Sequence, residues 1–278
     1  MNRKKLLESS RNIYSQNGED GIIEKIFETI GTTSRTCIEV GAWDGFHLSN
    51  TANLWMNGWK SILIEGVKSR FEILQNNVKD YNCICVNAFV SLEGDNSLDA
   101  IVRRTGIDFN IDLISIDIDG DDYYIFKSID LCRPRVVICE YNPTIPAELE
   151  LFAEYGSCFG ASVAALKLLA EKKDYSLVAI TETNCFFVRN DLASAFSDYE
   201  TSLENIKIDK HLIYIATSYA GDYVVCGTAA YEISLPYNGK LFGIYSHFPI
   251  RWSLLGLVAK LCRALKVKFN NTLFVQKL

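Results

Sequence analysis

Apolar residues along the chain fall into short runs with two alternating rhythms, one continuous or of period two and one near 3.6. Residues 15–31 place Ile22, Ile23, Ile26, Phe27 and Ile30 on one helical face, with Gly31 positioned to end the helix. Cys37, Ile38 and Val40 then form a short buried strand that breaks into Gly41 and Gly45. The alternation continues. Strands are predicted over 60–65, 83–88, 111–120 and 135–143, and helices over 48–55, 70–79, 96–105, 123–129 and 161–172. Strand and helix in turn predict an α/β fold with a mostly parallel, doubly wound sheet. Residues 175–181 and 184–188 read as two more strands joined by a turn, an antiparallel pair closing that sheet. Past Arg189 the pattern weakens, which divides the chain into a domain over 1–190 and an extension over 191–278.

At 278 residues and 49% hydrophobic composition, the chain can build a sizeable core. A net charge of −6 provides no overall positive field for phosphates, so nonspecific nucleic-acid binding is not expected. The first residues carry charge but no apolar segment behind it, and are not a secretory signal. Nine cysteines, an odd number without a Cys-x-x-Cys pair, sit mostly inside apolar runs and suggest a reduced cytoplasmic protein. The last stretch reverses the overall sign: Arg251, Lys260, Arg263, Lys266, Lys268 and Lys277 interrupt an apolar stripe, which predicts a basic amphipathic helix over 251–278. Too polar to span a membrane, it fits peripheral contact with an anionic membrane at the inner face, or packing on its own domain or a second subunit of a homo-oligomer.

The candidate chemistry lies at strand ends. Glycines at 41 and 45 suit either close approach to a ligand or a tight strand-to-helix turn. Glu65 ends the second strand, where a carboxylate can accept both hydroxyls of a ribose. A dinucleotide loop needs a third glycine, absent here, and Asp44 would repel a pyrophosphate but attract the amino group of a methionine-derived cofactor. S-adenosylmethionine (SAM) therefore fits better than NAD. Period two along the fourth strand predicts Ser115, Asp117 and Asp119 on one face, with Glu140 and Asn142 after the fifth strand sharing the same rim. The segment 141–160 is read as a lid, and Trp43, Tyr141, Tyr155 and Phe159 as stacking surfaces for a sugar.

Five strings together, Ser15-Gln-Asn-Gly-Glu-Asp-Gly21, Glu39-Val-Gly-Ala-Trp-Asp-Gly45, Leu48-Ser-Asn-Thr51, Ser115-Ile-Asp-Ile-Asp-Gly120 and Phe159-Gly-Ala-Ser162, resemble the FkbM-like branch of class I SAM-dependent methyltransferases. The similarity covers the first two thirds of the chain. It implies a Rossmann-like, mostly parallel seven-stranded sheet with helices on both faces. It also implies O-methyl transfer, typically to a glycan or natural product. Cofactor contacts would come from Glu39, Gly41, Ala42, Asp44, Gly45, Ser49, Glu65, Asn87, Ala88 and Asp117. Two routes to a nucleophilic hydroxyl are open: Mg2+ on Asp117, Asp119, Glu140 and Asn142, similar to catechol-type O-methyltransferases, or His47 as base. Catalytic roles thus fall on Asp117, Asp119 and His47. The expected acceptor is a sugar hydroxyl of a surface glycan or its activated precursor. The alternatives are a small natural product as acceptor, or a noncatalytic glycan- or partner-binding module on the same fold. Asn142-Pro-Thr-Ile is a poor match to the Asn-Pro-Pro-Tyr element of amino-group methyltransferases, lacking its final aromatic residue.

Overall fold

The computed structural model describes residues 3–217, 223–227 and 274–276. Two compact units divide the chain: Met1–Asn142 with Ala147–Ile208, and Pro143–Pro146 with Asp209–Leu278.

The first unit is built on α1 (Glu19–Ile30), β1 (Thr36–Val40), α2 (Ala52–Met56), β2 (Lys60–Glu65), α3 (Lys68–Asn77), β3 (Cys83–Asn87), α4 (Leu98–Thr105), β4 (Leu113–Ile116), α5 (Asp122–Ser128), β5 (Val136–Glu140), α6 (Val163–Lys172), β6 (Tyr175–Ile180) and β7 (Asn184–Arg189). Its seven strands lie in the order β3-β2-β1-β4-β5-β7-β6. The first five strands pair in parallel, while β7 runs antiparallel between β5 and β6. This is the Rossmann-like methyltransferase sheet that the resemblance implies, including the antiparallel closing pair.

Continuous apolar runs form its centre because both faces are covered: β1 and β4 are buried along their whole length. On one face Ile38, Val40, Ile114 and Ile116 pack with Leu98, Ile101, Phe126 and Leu166 from α4, α5 and α6. On the other, Cys37, Leu113 and Ile138 meet Ile22, Ile23, Ile26 and Phe27, the apolar stripe of α1. Helix ends follow local chemistry. Ser97 and Ser162 accept hydrogen bonds from Ala100 and Ala165 to start α4 and α6, and Gly31 ends α1 at φ +69°.

Two sequence expectations change. The predicted helix over 48–55 starts only at Ala52: Thr51 is its N-cap residue, and Ser49 Oγ accepts from the amides of Thr51 and Ala52 in the turn that precedes it. The fourth strand stops at Ile116, so alternation does not carry Asp117 and Asp119 onto a strand face.

The second unit contains β8 (Ile213–Thr217), β9 (Tyr223–Gly227) and β10 (Phe274–Gln276), an antiparallel three-stranded sheet. The basic stretch predicted as an amphipathic helix over 251–278 lies outside the described residues, β10 excepted. Among the described residues, no helix is long and apolar enough to cross a membrane.

Candidate active site

Parallel strands bring their carboxyl ends to one edge, and the loops there hold the predicted residues. After β1 the amides of Gly41 and Ala42 both donate to the Ile64 carbonyl, at 3.0 and 2.9 Å. Gly41 has φ +90°, and a Cβ on it would meet the Asp117 carbonyl oxygen at 1.9 Å. Gly45, at φ +91°, has Leu74 and Val78 of the α3 region 3.0 Å from where its Cβ would be. The two glycines that sequence offered to a ligand each answer to the chain's own packing.

Between them, the Trp43 amide donates to Glu65 Oε2 at 3.0 Å and the Val67 amide to Oε1 at 2.6 Å. Glu65 is buried, and it ties the first loop to the second. Asp44 Oδ1 accepts from the amides of Phe46 and His47, at 2.9 and 2.7 Å, closing a turn. Its other oxygen has no donor among the described residues. His47 is exposed and lies against the Trp43 ring, 4.7 Å between centroids, and the Arg70 guanidinium stands 3.8 Å from the same indole.

Glu39 and Ser49 lie beneath this loop. The Glu39 carboxylate accepts from Ser49 Oγ at 2.7 Å, Thr51 Oγ1 at 2.8 Å and the Asn50 amide at 2.9 Å, while burial pushes its pKa up. Both side chains are buried and bonded within the chain, so they support the loop from below. Asn50 Nδ2 extends the set to Ser115 Oγ at 3.0 Å. At the end of β3, Asn87 turns its amide to the carbonyls of Glu65 and Gly66, and Ala88 is buried. Phe89 is 72% exposed, its ring laid on Gly66 so closely that a Cβ there would sit 2.4 Å from it.

The acids after β4 and β5 do meet. Carboxylate oxygens of Asp117, Asp119 and Glu140 lie within 4.8 Å of one another. What brings them together is a loop, not a strand: Asp119 is left-handed at φ +58°, and buried Asp122 accepts from the amides of Ile118 and Gly120, each at 2.9 Å. Burial and then the charge of Asp122 push the Asp117 pKa to about 8; burial and then Asp117 push Glu140 well up. Asp122 itself is raised to about 6, chiefly by burial.

Asn142, two residues beyond Glu140, donates from Nδ2 to the Phe159 carbonyl at 2.8 Å. Residues 147–162 are fastened to α5: Gly156 donates to Asp121 Oδ1 at 2.8 Å, Tyr124 Oη to the Ala153 carbonyl at 2.9 Å, and Phe152 stacks on Tyr123 at 4.4 Å. Tyr155 and Phe159 are exposed, as is Trp43. Tyr141 is not: it is buried with its hydroxyl on the Thr181 carbonyl, which removes it from the predicted stacking set.

Sequence reasoning missed three residues. Asp122 holds the acidic loop, hidden in the run of acids from 117 to 122. Phe89 carried no pattern signal. Glu19, fully buried, accepts from Thr181 Oγ1 at 2.6 Å, Asn184 Nδ2 at 3.3 Å and the Asn17 amide at 2.6 Å, clasping the lead-in to the β6–β7 turn. Asn184 pairs with Glu140 across the strands, so the clasp reaches the acidic end of β5. The motif over 15–21 was its only signal. Four non-glycine residues in these edge loops, Trp43, Leu48, Asp119 and Cys158, have positive φ.

No family model matches the chain, and neither does any curated protein. Among solved structures it is similar to a SAM dependent methyltransferase from Aquifex aeolicus, at 12% identity over 59% of this chain and 86% of that one, with a TM-score of 0.37. It is also similar to a S-adenosylmethionine-dependent methyltransferase from Clostridium acetobutylicum, at 11% identity over 62% and 90%, TM-score 0.42. Similarity to the CurJ carbon methyltransferase is 12% over 64% and 56%, TM-score 0.44.

Proposed function

We propose that this protein is a SAM-dependent O-methyltransferase of the FkbM-like kind, acting on a sugar hydroxyl of a surface glycan or its activated precursor. One observation supports this above the others: the loops joined at Glu65 and the carboxylates of Asp117, Asp119 and Glu140 share one edge of the sheet.

The residues fit the cofactor. Each Glu65 oxygen receives one amide hydrogen and keeps a second acceptor position, so a ribose diol can be added without breaking the loop. Asp44 keeps one oxygen for an ammonium group, and exposed Phe89, beside Asn87 and Ala88, offers a ring to a purine. SAM, when bound, supplies a methyl group on a positive sulfur that is already a good leaving group. The chain's own work is then position and proton removal. The Asp117–Glu140 pair would take the proton of an acceptor hydroxyl placed at this edge. His47, held against Trp43, lies outside that carboxyl group. Exposed Tyr155 and Phe159 offer apolar faces to a sugar ring. Asp117, Asp119 and Glu140 also form an oxygen-only set of the kind that would hold Mg2+, with Asn142, two residues beyond Glu140, as the expected fourth ligand; the metal would lower the pKa of a coordinated hydroxyl.

Isothermal titration with SAM, followed by radiolabelled methyl transfer to a glycan acceptor panel, tests the reading. Tight SAM binding that is lost in Glu65→Ala supports it; no SAM binding refutes it. A second reading, a noncatalytic glycan-binding module, draws on the fact that Glu39, Asp44 and Glu65 already have partners inside the chain. It expects glycan binding with neither SAM binding nor transfer.

A further inference from the structure

Trp43 stands between Ala42 and Asp44 in the loop after β1, its amide fixed on Glu65 Oε2 at 3.0 Å. Its backbone is left-handed at φ +46°, a conformation that strains a bulky residue, and its side chain is 40% exposed. A large aromatic residue held at the surface under strain points to a use there. Two side chains rest on its ring. The Arg70 guanidinium carbon is 3.8 Å from the indole centroid, and the centroid of the His47 ring is 4.7 Å from it.

At 3.8 Å there is no room for a nitrogen between the guanidinium carbon and the ring. The guanidinium therefore lies along the indole face, and its N–H groups point sideways and not into the ring. Among the described residues this guanidinium has no ion pair and no hydrogen bond. The contrast is Arg189, which closes its fork on Asp191 at 2.7 and 2.9 Å. Asp44 and Glu65 carry charge in the same loops, yet both accept from backbone amides and neither pairs with Arg70.

A stacked guanidinium with an open fork suits an oxyanion that offers it two oxygens; a cation is repelled, and a neutral hydroxyl forgoes the charge-assisted bonds. The His47 imidazole, on the same indole, adds a further donor. We propose that Arg70, stacked on Trp43 with His47, is a subsite for the phosphate of the acceptor, so that the methyl group goes to a sugar carried on a diphosphate and not to a finished neutral glycan. This rests on the methyltransferase reading above, in which a glycan and its activated precursor are both acceptors, and phosphate is what sets the precursor apart. The subsite adjoins the cofactor loop, since Trp43 is flanked by Ala42 and Asp44.

Proton–nitrogen correlation NMR of the full chain, followed at the Trp43 indole N–H, tests it together with SAM calorimetry on the same samples. Inorganic pyrophosphate should shift that signal saturably, and methyl β-D-glucopyranoside should not. Arg70→Gln should weaken pyrophosphate by about tenfold or more, the loss of a charge-assisted hydrogen bond, and leave SAM affinity unchanged. Arg70→Lys, charged but without the fork, should fall between the two and stands in if Arg70→Gln does not fold. UDP-glucose and farnesyl diphosphate represent nucleotide and lipid carriers, and one of them should bind more tightly than pyrophosphate. No saturable shift, or equal binding by the parent and a folded Arg70 variant, overturns the proposal. So does a SAM affinity that falls as far as the pyrophosphate affinity, which would give Arg70 to the cofactor. Pyrophosphate bound more tightly than both carriers means an adventitious ion only and overturns the acceptor assignment. Pyrophosphate binding through Arg70 in a protein that binds no SAM would refute the methyltransferase reading and leave the anion subsite standing.

Discussion

The Asp117 carbonyl oxygen occupies the space next to Gly41 so fully that a Cβ would fall 1.9 Å from it. This contact locks the loop after β1 to the end of β4. The glycine therefore serves the architecture whether or not a ligand is bound.

Gly41→Ala should destabilise the protein without cofactor by about 3 kcal/mol or more, combining positive-φ strain with a backbone clash. Urea unfolding in the absence of SAM measures it. A variant as stable as the parent would mean the loop yields easily and the contact is incidental.

For Glu65, Glu65→Gln keeps the shape but removes the charge from a carboxylate that binds two amides. Losing charge-assisted bonds worth about 1.5–3 kcal/mol predicts a SAM affinity lower by roughly 10- to 100-fold, read by calorimetry. An unchanged affinity would place the ribose elsewhere.

The raised Asp117 pKa sets a pH dependence. An unfolded aspartate loses its proton near the ordinary pKa of 3.8, whereas the folded one keeps it to about 8, so the folded state binds more protons across that window. Stability due to this group is full below pH 4 and declines as pH rises toward 8. Asp117→Asn should flatten that decline, and chemical unfolding at pH 5 and pH 8 compares the slopes. The same ionisation readies a base, so methyl transfer in the parent should rise over the upper part of this range.

Magnesium should oppose the repulsion within the acidic group. At pH 8, Mg2+ is expected to raise the thermal midpoint of the parent protein, and Glu140→Gln to reduce that rise. A parent whose midpoint ignores Mg2+, with transfer unaffected by chelation, leaves the carboxyl pair as base without a metal.

Glu19→Ala should cost about 2–4 kcal/mol, because Thr181, Asn184 and Asn17 all lose a buried acceptor. Hydrogen exchange should quicken at the β6–β7 turn first. Uniform quickening would show that the clasp is not local.

The sheet was legible because fully buried strands read as apolar runs. Cys37 to Val40 and Ile62 to Ile64 could hardly be anything else. The closing pair was legible from its turn at 181–183. Strand ends were not. Alternation would have carried Asp117 and Asp119 onward along β4, but hydrogen bonds from Ile118 and Gly120 to Asp122 turn the chain there, and period two contains no information about such a bond. The same limit applies to Ser49, whose hydroxyl ties down the turn before α2 where a helix was predicted, and to Tyr141, which sequence placed on the rim and Thr181 holds inside. The acids were found as a group because carboxylates at strand ends are rare enough to notice; the roles of Glu19 and Asp122 depend on tertiary partners 100 or more residues away in the first case and on a local turn in the second.

Of the six non-glycine residues with positive φ among the described residues, Arg35 and Asp174 precede strands, and Trp43, Leu48, Asp119 and Cys158 lie in the loops at the opposite edge. Each such position holds on the order of 1 kcal/mol that a glycine would release. A selection for heat resistance alone should therefore drift toward glycine at these four sites, and its survivors would be sturdier proteins with a slacker working edge. Thermal tolerance and turnover, followed together through such a selection, would part company here before anywhere in the core.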